Sequence, residues 1–204
     1  MIDFYTQETP NGKKVHLMLE ELGIPYTKHM VDFAKLEQKS PEFLAMNPNG
    51  RIPVIVDHEG PNKKTTTVFE SAAILYYLAE RHGKFLGHGI DEKSHVMQWV
   101  MFQMSGVGPI FGNYFYGLKS LHPFNQAYVD RFEKEAHRLL GVMEIQLARH
   151  TYLAGEEYTI ADMCMYFWIA KFMTLVPDWF AATPSVRRWA HLIAERPAVK
   201  KVPA

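Results

Sequence analysis

The stretch MIDFYTQETPNGKKVHLMLEELGIPYTKHMV, residues 1–31, decides the fold. Residues 1–5 are short and apolar-rich, a strand. Residues 7–12 hold Pro10 and Gly12 and read as a loop. Val15, Leu17, Met18, Leu19 and Leu22 then recur at helical spacing, which predicts a helix over 13–22. Gly23 and Pro25 stop it, and 26–31 reads as a second strand.

Working outward, residues 35–46 form an irregular helical segment interrupted at Pro41. Residues 52–56 are a third strand, entered through Pro53. Residues 65–69 are β-branched and aromatic, a fourth strand, with Asn62, Lys63 and Lys64 as the turn before it. Residues 71–82 are strongly helical. A βαβ unit, a helix, a β-hairpin and a helix is the order of the thioredoxin fold. Everything afterwards reads as helix, over 91–116, 123–149, 163–169 and 185–195. Thr159 and Asp162 stand three apart before an apolar run, a capping box in its Asp form, with Tyr158 and Met163 at the staple positions. The expected architecture is an α/β thioredoxin-like domain over 1–83, a linker over 84–90 and an all-α domain over 91–204.

Composition excludes several functions. Lys plus Arg is 22 and Asp plus Glu is 22, so there is no basic excess to neutralise phosphates. Nucleic acid and membrane surfaces are therefore not expected partners. The apolar run over 163–169 is too short to cross a bilayer. The single cysteine, Cys164, allows no intramolecular disulfide or zinc cluster. With no secretory leader pattern, this predicts a reducing, cytoplasmic home. Cys164 itself reads as a buried, inert thiol. The ten histidines show no HExxH and no paired metal spacing, so no metal is expected.

Three features, in this order, resemble the glutathione transferase superfamily over essentially the full chain. Arg51-Ile52-Pro53-Val54 looks like the segment with a cis X-Pro bond before the third strand. Glu70-Ser71 looks like the acidic-Ser pair that opens the third helix. Thr159 to Asp162 looks like the capping box of the helical domain. Thr9-Pro10-Asn11-Gly12, with Asn47-Pro48-Asn49-Gly50-Arg51-Ile52-Pro53, is most similar to the nu class. The 106–112 segment resembles that group's Gly-rich helix interruption, although Asn113 stands where Gln is expected. The resemblance implies glutathione as co-substrate, reduction of small disulfides and a homodimer. Phe69, Tyr76 and Tyr77 are candidate apolar surface for that dimer. Conjugation to electrophiles and a non-catalytic glutathione-binding regulator are the alternative functions.

The same resemblance assigns site residues. Thr9 and Asn11, ahead of the 13–22 helix, would stabilise the thiolate of glutathione, helped by the helix N-terminus. By pattern alone either one is an ordinary cap. Tyr5 is the rival donor, because several transferase classes use a tyrosine ending the first strand; otherwise it is a core aromatic. Ile52 and Pro53 would pair strand-like with the cysteinyl part of glutathione. Glu70 would accept from its γ-glutamyl ammonium, and Ser71 would receive the adjoining carboxylate. Gln38 and Arg51 flank the same groove for the glycyl end. Arg131 matches a position associated with a ligand carboxylate, and reads equally as a surface arginine. Gly106, Gly108 and Pro109 are unfavourable inside a helix, by about 1 kcal/mol for Gly and 3 for Pro. They mark either a kink beside the sulfur site or a boundary between two helices. Phe102, Phe111, Tyr114, Phe115 and Tyr116 are correspondingly a pocket wall or core.

Overall fold

Four strands make the first layer of the structure, a computed structural model that describes residues 1–203. They are β1 (Ile2–Thr6), β2 (Tyr26–Met30), β3 (Val54–Asp57) and β4 (Thr66–Phe69), in the order β2-β1-β3-β4. β1 and β2 run parallel, while β3 is antiparallel to both β1 and β4. Alternation along β1 buries Ile2, Phe4 and Thr6 on one face. Phe4 packs there against His16 and Tyr26. That face meets α1 (Pro10–Leu22), which packs on α3 (Ser71–His82). Tyr5 points the other way, into a cluster with Val31, Phe43 and Val54 under α2 (Pro41–Met46). Val54 and Ile55 are fully buried because both faces of β3 are covered. Each such side chain contributes roughly 1.5–3 kcal/mol.

The helix ends follow local chemistry. α1 begins at Pro10, three residues before the expected start at residue 13, because Thr9 caps it and proline suits the first helical position. The expected loop over 7–12 is therefore half helix. Gly23, at φ 64°, closes α1 with its N–H on Glu20 and Leu19. Gly83 closes α3 in the same way. Tyr77, expected at the surface, is half-buried and donates to Asp57 Oδ2 at 2.9 Å. Arg81 joins the same carboxylate.

The chain forms two compact units. The first is Met1–Lys84 with the segment from Arg196 onward; the second is Phe85–Glu195. In the 84–90 segment Leu86 is buried, and the Phe85 carbonyl accepts from Ile160 N at 2.9 Å. The end of the chain does not belong with the helices before it. Arg196 makes two bonds to the Glu21 carboxylate, at 2.6 and 3.0 Å. Lys201 reaches Glu20 at 3.0 Å, and α9 (Pro197–Lys201) packs on α1.

The second unit holds α4 (Gly89–Phe102), α5 (Gly108–Lys119), α6 (Gln126–Leu147), α7 (Ile160–Leu175) and α8 (Pro184–Ala194). Between α4 and α5 lies one π-helical turn, Gln103–Val107, with right-handed helical backbone at both junctions. The Gly-Pro segment is thus a wide turn within one helical run, which takes up Pro109 without a break. Phe111 and Tyr114 pack with Phe172 and Trp179 as core. Tyr116 is exposed, and the Lys171 ammonium sits 4.0 Å from the centroid of Phe115. The Thr159–Asp162 capping box is present. Asp162 also accepts from Leu153 N and Trp189 Nε1, tying the box to α8. Burial pushes its carboxyl up, against these bonds, which favour the charged form. Cys164 is buried and donates to Gln103 Oε1 at 3.2 Å. Among the described residues, no helix is long and apolar enough to cross a membrane.

Candidate functional site

Strand register brings three chain segments to one end of the sheet. Tyr5 pairs with Val54, and Val54 with Phe69. β1 therefore leaves, β3 enters and β4 leaves at the same end. The loop into α1, the Ile52-Pro53 peptide and the start of α3 meet there.

At α1, Thr9 is extended, with φ −114° and ψ 158°, and its Oγ1 accepts from Gly12 N at 3.1 Å. That bond uses a lone pair and leaves the hydroxyl hydrogen for a second partner. Capping and donation are therefore compatible roles. Asn11 occupies the second helical position and is half-buried. Gly12 is required by close approach, since a Cβ there would overlap the Gln7 carbonyl and the Thr6 hydroxyl.

The Ile52-Pro53 bond is cis. Ile52 packs, as Tyr5 and Met46 do, against the cluster of Val31, Phe43 and Val54, and Pro53 is buried. The preceding turn is organised by Asn47, which the sequence marks only as part of the 47–53 motif. Asn47 is buried; its Nδ2 donates to Arg51 O at 2.7 Å and its Oδ1 accepts from Asn49 N at 3.0 Å. Arg51 is exposed at the turn's end. Gln38 lies against the turn, its carbonyl in the way of any Cβ on Gly50. Lys39, a cation not expected here, reaches Asn49 O at 3.3 Å. Only its adjacency to Gln38 could have signalled it.

At α3, Ser71 is buried at the first helical position. Glu70 before it is exposed, with φ 69° and ψ 118°, and its side chain caps nothing. A positive φ at a non-glycine residue costs roughly 1–3 kcal/mol and persists only where its surroundings enforce it. Asn49 Nδ2 stands 3.5 Å from Glu70 Oε1, linking the turn to this helix end at the edge of bonding distance.

Tyr5 is the outlier among the expected residues. Its ring stacks on His29 at 4.6 Å and meets Phe43 edge-on, on the face opposite α1. Burial, then the nearby Asp3 carboxylate, push its phenol up. Arg131 lies in the second unit, on α6. It is exposed and lines a cleft of about 510 Å³ with Ile110, Phe132, Lys134, Glu135 and Arg138. Among the described residues no group of three His, Cys, Asp or Glu side chains is placed to hold a metal.

Known proteins resemble this chain in sequence and fold. Residues 9–81 match the model of the glutathione S-transferase N-terminal domain, and residues 95–197 that of its C-terminal domain. The disulfide-bond oxidoreductase YfcG of Escherichia coli is 38% identical over 206 residues, covering 97% of this chain and 92% of its own. A Burkholderia graminis glutathione transferase, solved with two glutathione molecules per subunit, superposes with a TM-score of 0.92 at 38% identity. It covers 98% of this chain and 85% of its own. A Pseudomonas putida glutathione transferase with one glutathione disulfide per subunit gives 0.90 at 38% identity, covering 100% and 92%.

Proposed function

This chain belongs to the glutathione S-transferase family, and from that premise we propose that it is a glutathione-dependent disulfide-bond reductase of the nu class. The observation that carries the reading is the convergence at one sheet end of the Thr9-capped helix, the Ile52-Pro53 peptide and the Glu70-Ser71 helix start. In this reading Ile52 and Pro53 receive the cysteinyl part of glutathione. Glu70 and Ser71 hold the γ-glutamyl end, while Arg51 and Gln38 hold the glycyl end. Arg131, on α6, is a separate candidate for a ligand carboxylate, as the family resemblance implies. The likeness to a named disulfide-bond oxidoreductase supports the reaction type.

The chemistry needs a thiolate near neutral pH. A free thiol titrates near ~8.5, and lowering it by about two units takes roughly 2.7 kcal/mol of preference for the anion. A helix N-terminus supplies about 0.3–2 kcal/mol, and one hydrogen bond to a charged group about 1.5–3. The α1 N-terminus with the Thr9 hydroxyl or the Asn11 amide is sufficient. The bound thiolate attacks one sulfur of the substrate disulfide. The substrate S–S bond breaks, and its other sulfur leaves as a thiolate that takes a proton. A second glutathione thiolate then attacks the bound glutathione sulfur, releasing the second substrate thiol and forming glutathione disulfide. Two glutathiones are oxidised for each disulfide reduced.

The single buried Cys164 supports a reducing, cytoplasmic setting. Phe69 on the edge strand and Tyr76 on α3 are 36% and 38% exposed, apolar surface that a homodimer would cover. The deciding experiment measures reduction of hydroxyethyl disulfide beside conjugation of chlorodinitrobenzene, both with glutathione. Reduction should dominate; conjugation without reduction overturns the reading.

A further inference from the structure

Only Gln7 and Glu8 separate the last strand residue, Thr6, from the cap, Thr9. So short a connector carries few backbone bonds. Thr9 N donates to Gln7 O at 2.7 Å, and Thr6 O accepts from Val31 N at 2.9 Å. The Gln7 side chain adds two more bonds. Gln7 Nε2 donates to Val31 O at 3.1 Å, and Gln7 Oε1 accepts from Glu8 N at 2.9 Å. Both ends of a planar amide are engaged, so the side chain cannot turn without losing a partner.

The Gln7 carbonyl is equally committed. It accepts from Thr9 N and from the Thr6 hydroxyl, and it fills the space a Cβ on Gly12 would need. Gly12 N in turn is the donor to Thr9 Oγ1. Gln7 thus joins the end of β2 to the first turn of α1 through a short chain of contacts that ends on the Thr9 hydroxyl. A second strut, Lys28 Nζ to Glu8 Oε1 at 2.6 Å, runs alongside. It lies nearer the surface, where such pairs contribute little.

The geometry points to Gln7 as a positioning residue for the sulfur site: its side-chain amide fixes the loop that aims the Thr9 hydroxyl at the thiolate of bound glutathione. The inference rests on the reading of Thr9 given above, and the test separates the two. The measured quantity is the thiol pKa of glutathione bound to the full-length protein, followed by thiolate ultraviolet absorbance, with kcat and KM for disulfide reduction.

Thr9→Ala should raise that pKa by roughly one to two units. Gln7→Met keeps the length and removes both bonds; it should raise the pKa by about half a unit to one unit and lower kcat about two- to fivefold at neutral pH. KM for glutathione should stay within about twofold, because the γ-glutamyl contacts are untouched. Gln7→Glu keeps the acceptor for Glu8 N but sets an anionic oxygen against Val31 O, and should match or exceed Gln7→Met. It also serves if Gln7→Met does not fold. Glu8→Gln, which cuts only the surface strut, should leave the pKa within about 0.2 unit. If Thr9→Ala moves the pKa and neither folded Gln7 variant does, Gln7 is not a positioning residue. If Thr9→Ala leaves the pKa unmoved, the reading of Thr9 fails, and the inference fails with it whatever the Gln7 variants do.

Discussion

Two helix N-termini meet at one end of the same sheet and are built in opposite ways. α1 starts from an extended Thr9 whose side chain satisfies Gly12 N. α3 starts from Glu70, which has a positive φ and whose side chain caps nothing. The first is a locally stable helix start with one hydroxyl hydrogen to spare. The second carries backbone strain and presents a carboxylate beside a buried serine. A helix start that needs no ligand suits a group acting on a small anion such as a thiolate. A helix start that is uncapped and strained suits a zwitterionic ligand end, which brings its own carboxylate for the helix and ammonium for Glu70.

The comparison breaks most sharply at Gly12. Gly12→Ala forces a Cβ into the Gln7 carbonyl and should disrupt the α1 start. Disulfide reductase activity should fall by about a hundredfold or more, with about 1–3 kcal/mol lost in denaturant unfolding. Near-normal activity would show that the α1 start is not where the sulfur sits. On the α3 side, Glu70→Ala with Ser71→Ala should weaken glutathione binding at least about tenfold by calorimetry, since each lost charged hydrogen bond costs about 1.5–3 kcal/mol. A folded double variant with unchanged affinity would remove these residues from the site.

Returning to α1, Thr9→Ala and Asn11→Ala should each lower reduction at neutral pH by about three- to thirtyfold, less than the fall in thiolate fraction, because a more basic thiolate is more nucleophilic. The lost rate should partly return as pH rises, where thiolate forms without help. Tyr5→Phe should stay within about twofold, since its ring packs under α2. The reverse ranking would make this a tyrosine-type transferase. The smallest effects are on stability and should differ in sign. Thr9→Ala loses a cap, about 1 kcal/mol, and should lower Tm by about 2–4 °C. Glu70→Gly relieves a positive φ and should raise Tm by a similar or smaller amount while weakening glutathione binding. A drop in Tm for Glu70→Gly would mean that the backbone at Glu70 is held without cost.

Much of this was legible from residues 1–31 and 71–83. The helical pattern over 71–82 matches the bounds of α3, and Gly23 with Pro25 marks the α1 stop. The α1 start was not legible. Its first turn, Pro10-Asn11-Gly12, is polar and carries no periodicity, so only the cap bond reveals it. The choice between kink and boundary at 106–109 was undecidable because propensities do not distinguish a π-helical turn from a break. Tyr5 was ambiguous for another reason. Alternation separates the faces of a strand but does not say which face meets which helix.

The candidates Thr9, Asn11, Ile52, Pro53, Glu70 and Ser71 rested on the resemblance to the glutathione transferase superfamily; by itself the sequence determined the order of strands and helices and the capping box at Thr159 and Asp162. These are written in local periodicity, caps and short motifs, whose physics acts over a few residues. Only the tertiary structure decided that Tyr5 faces away from α1, that Asn47 and Gln7 brace the loops, and that the segment from Arg196 returns to α1 through Glu21, 175 residues away in sequence. Contacts of that kind depend on which surfaces the packed elements leave to cover, and a pattern of a few residues does not encode that.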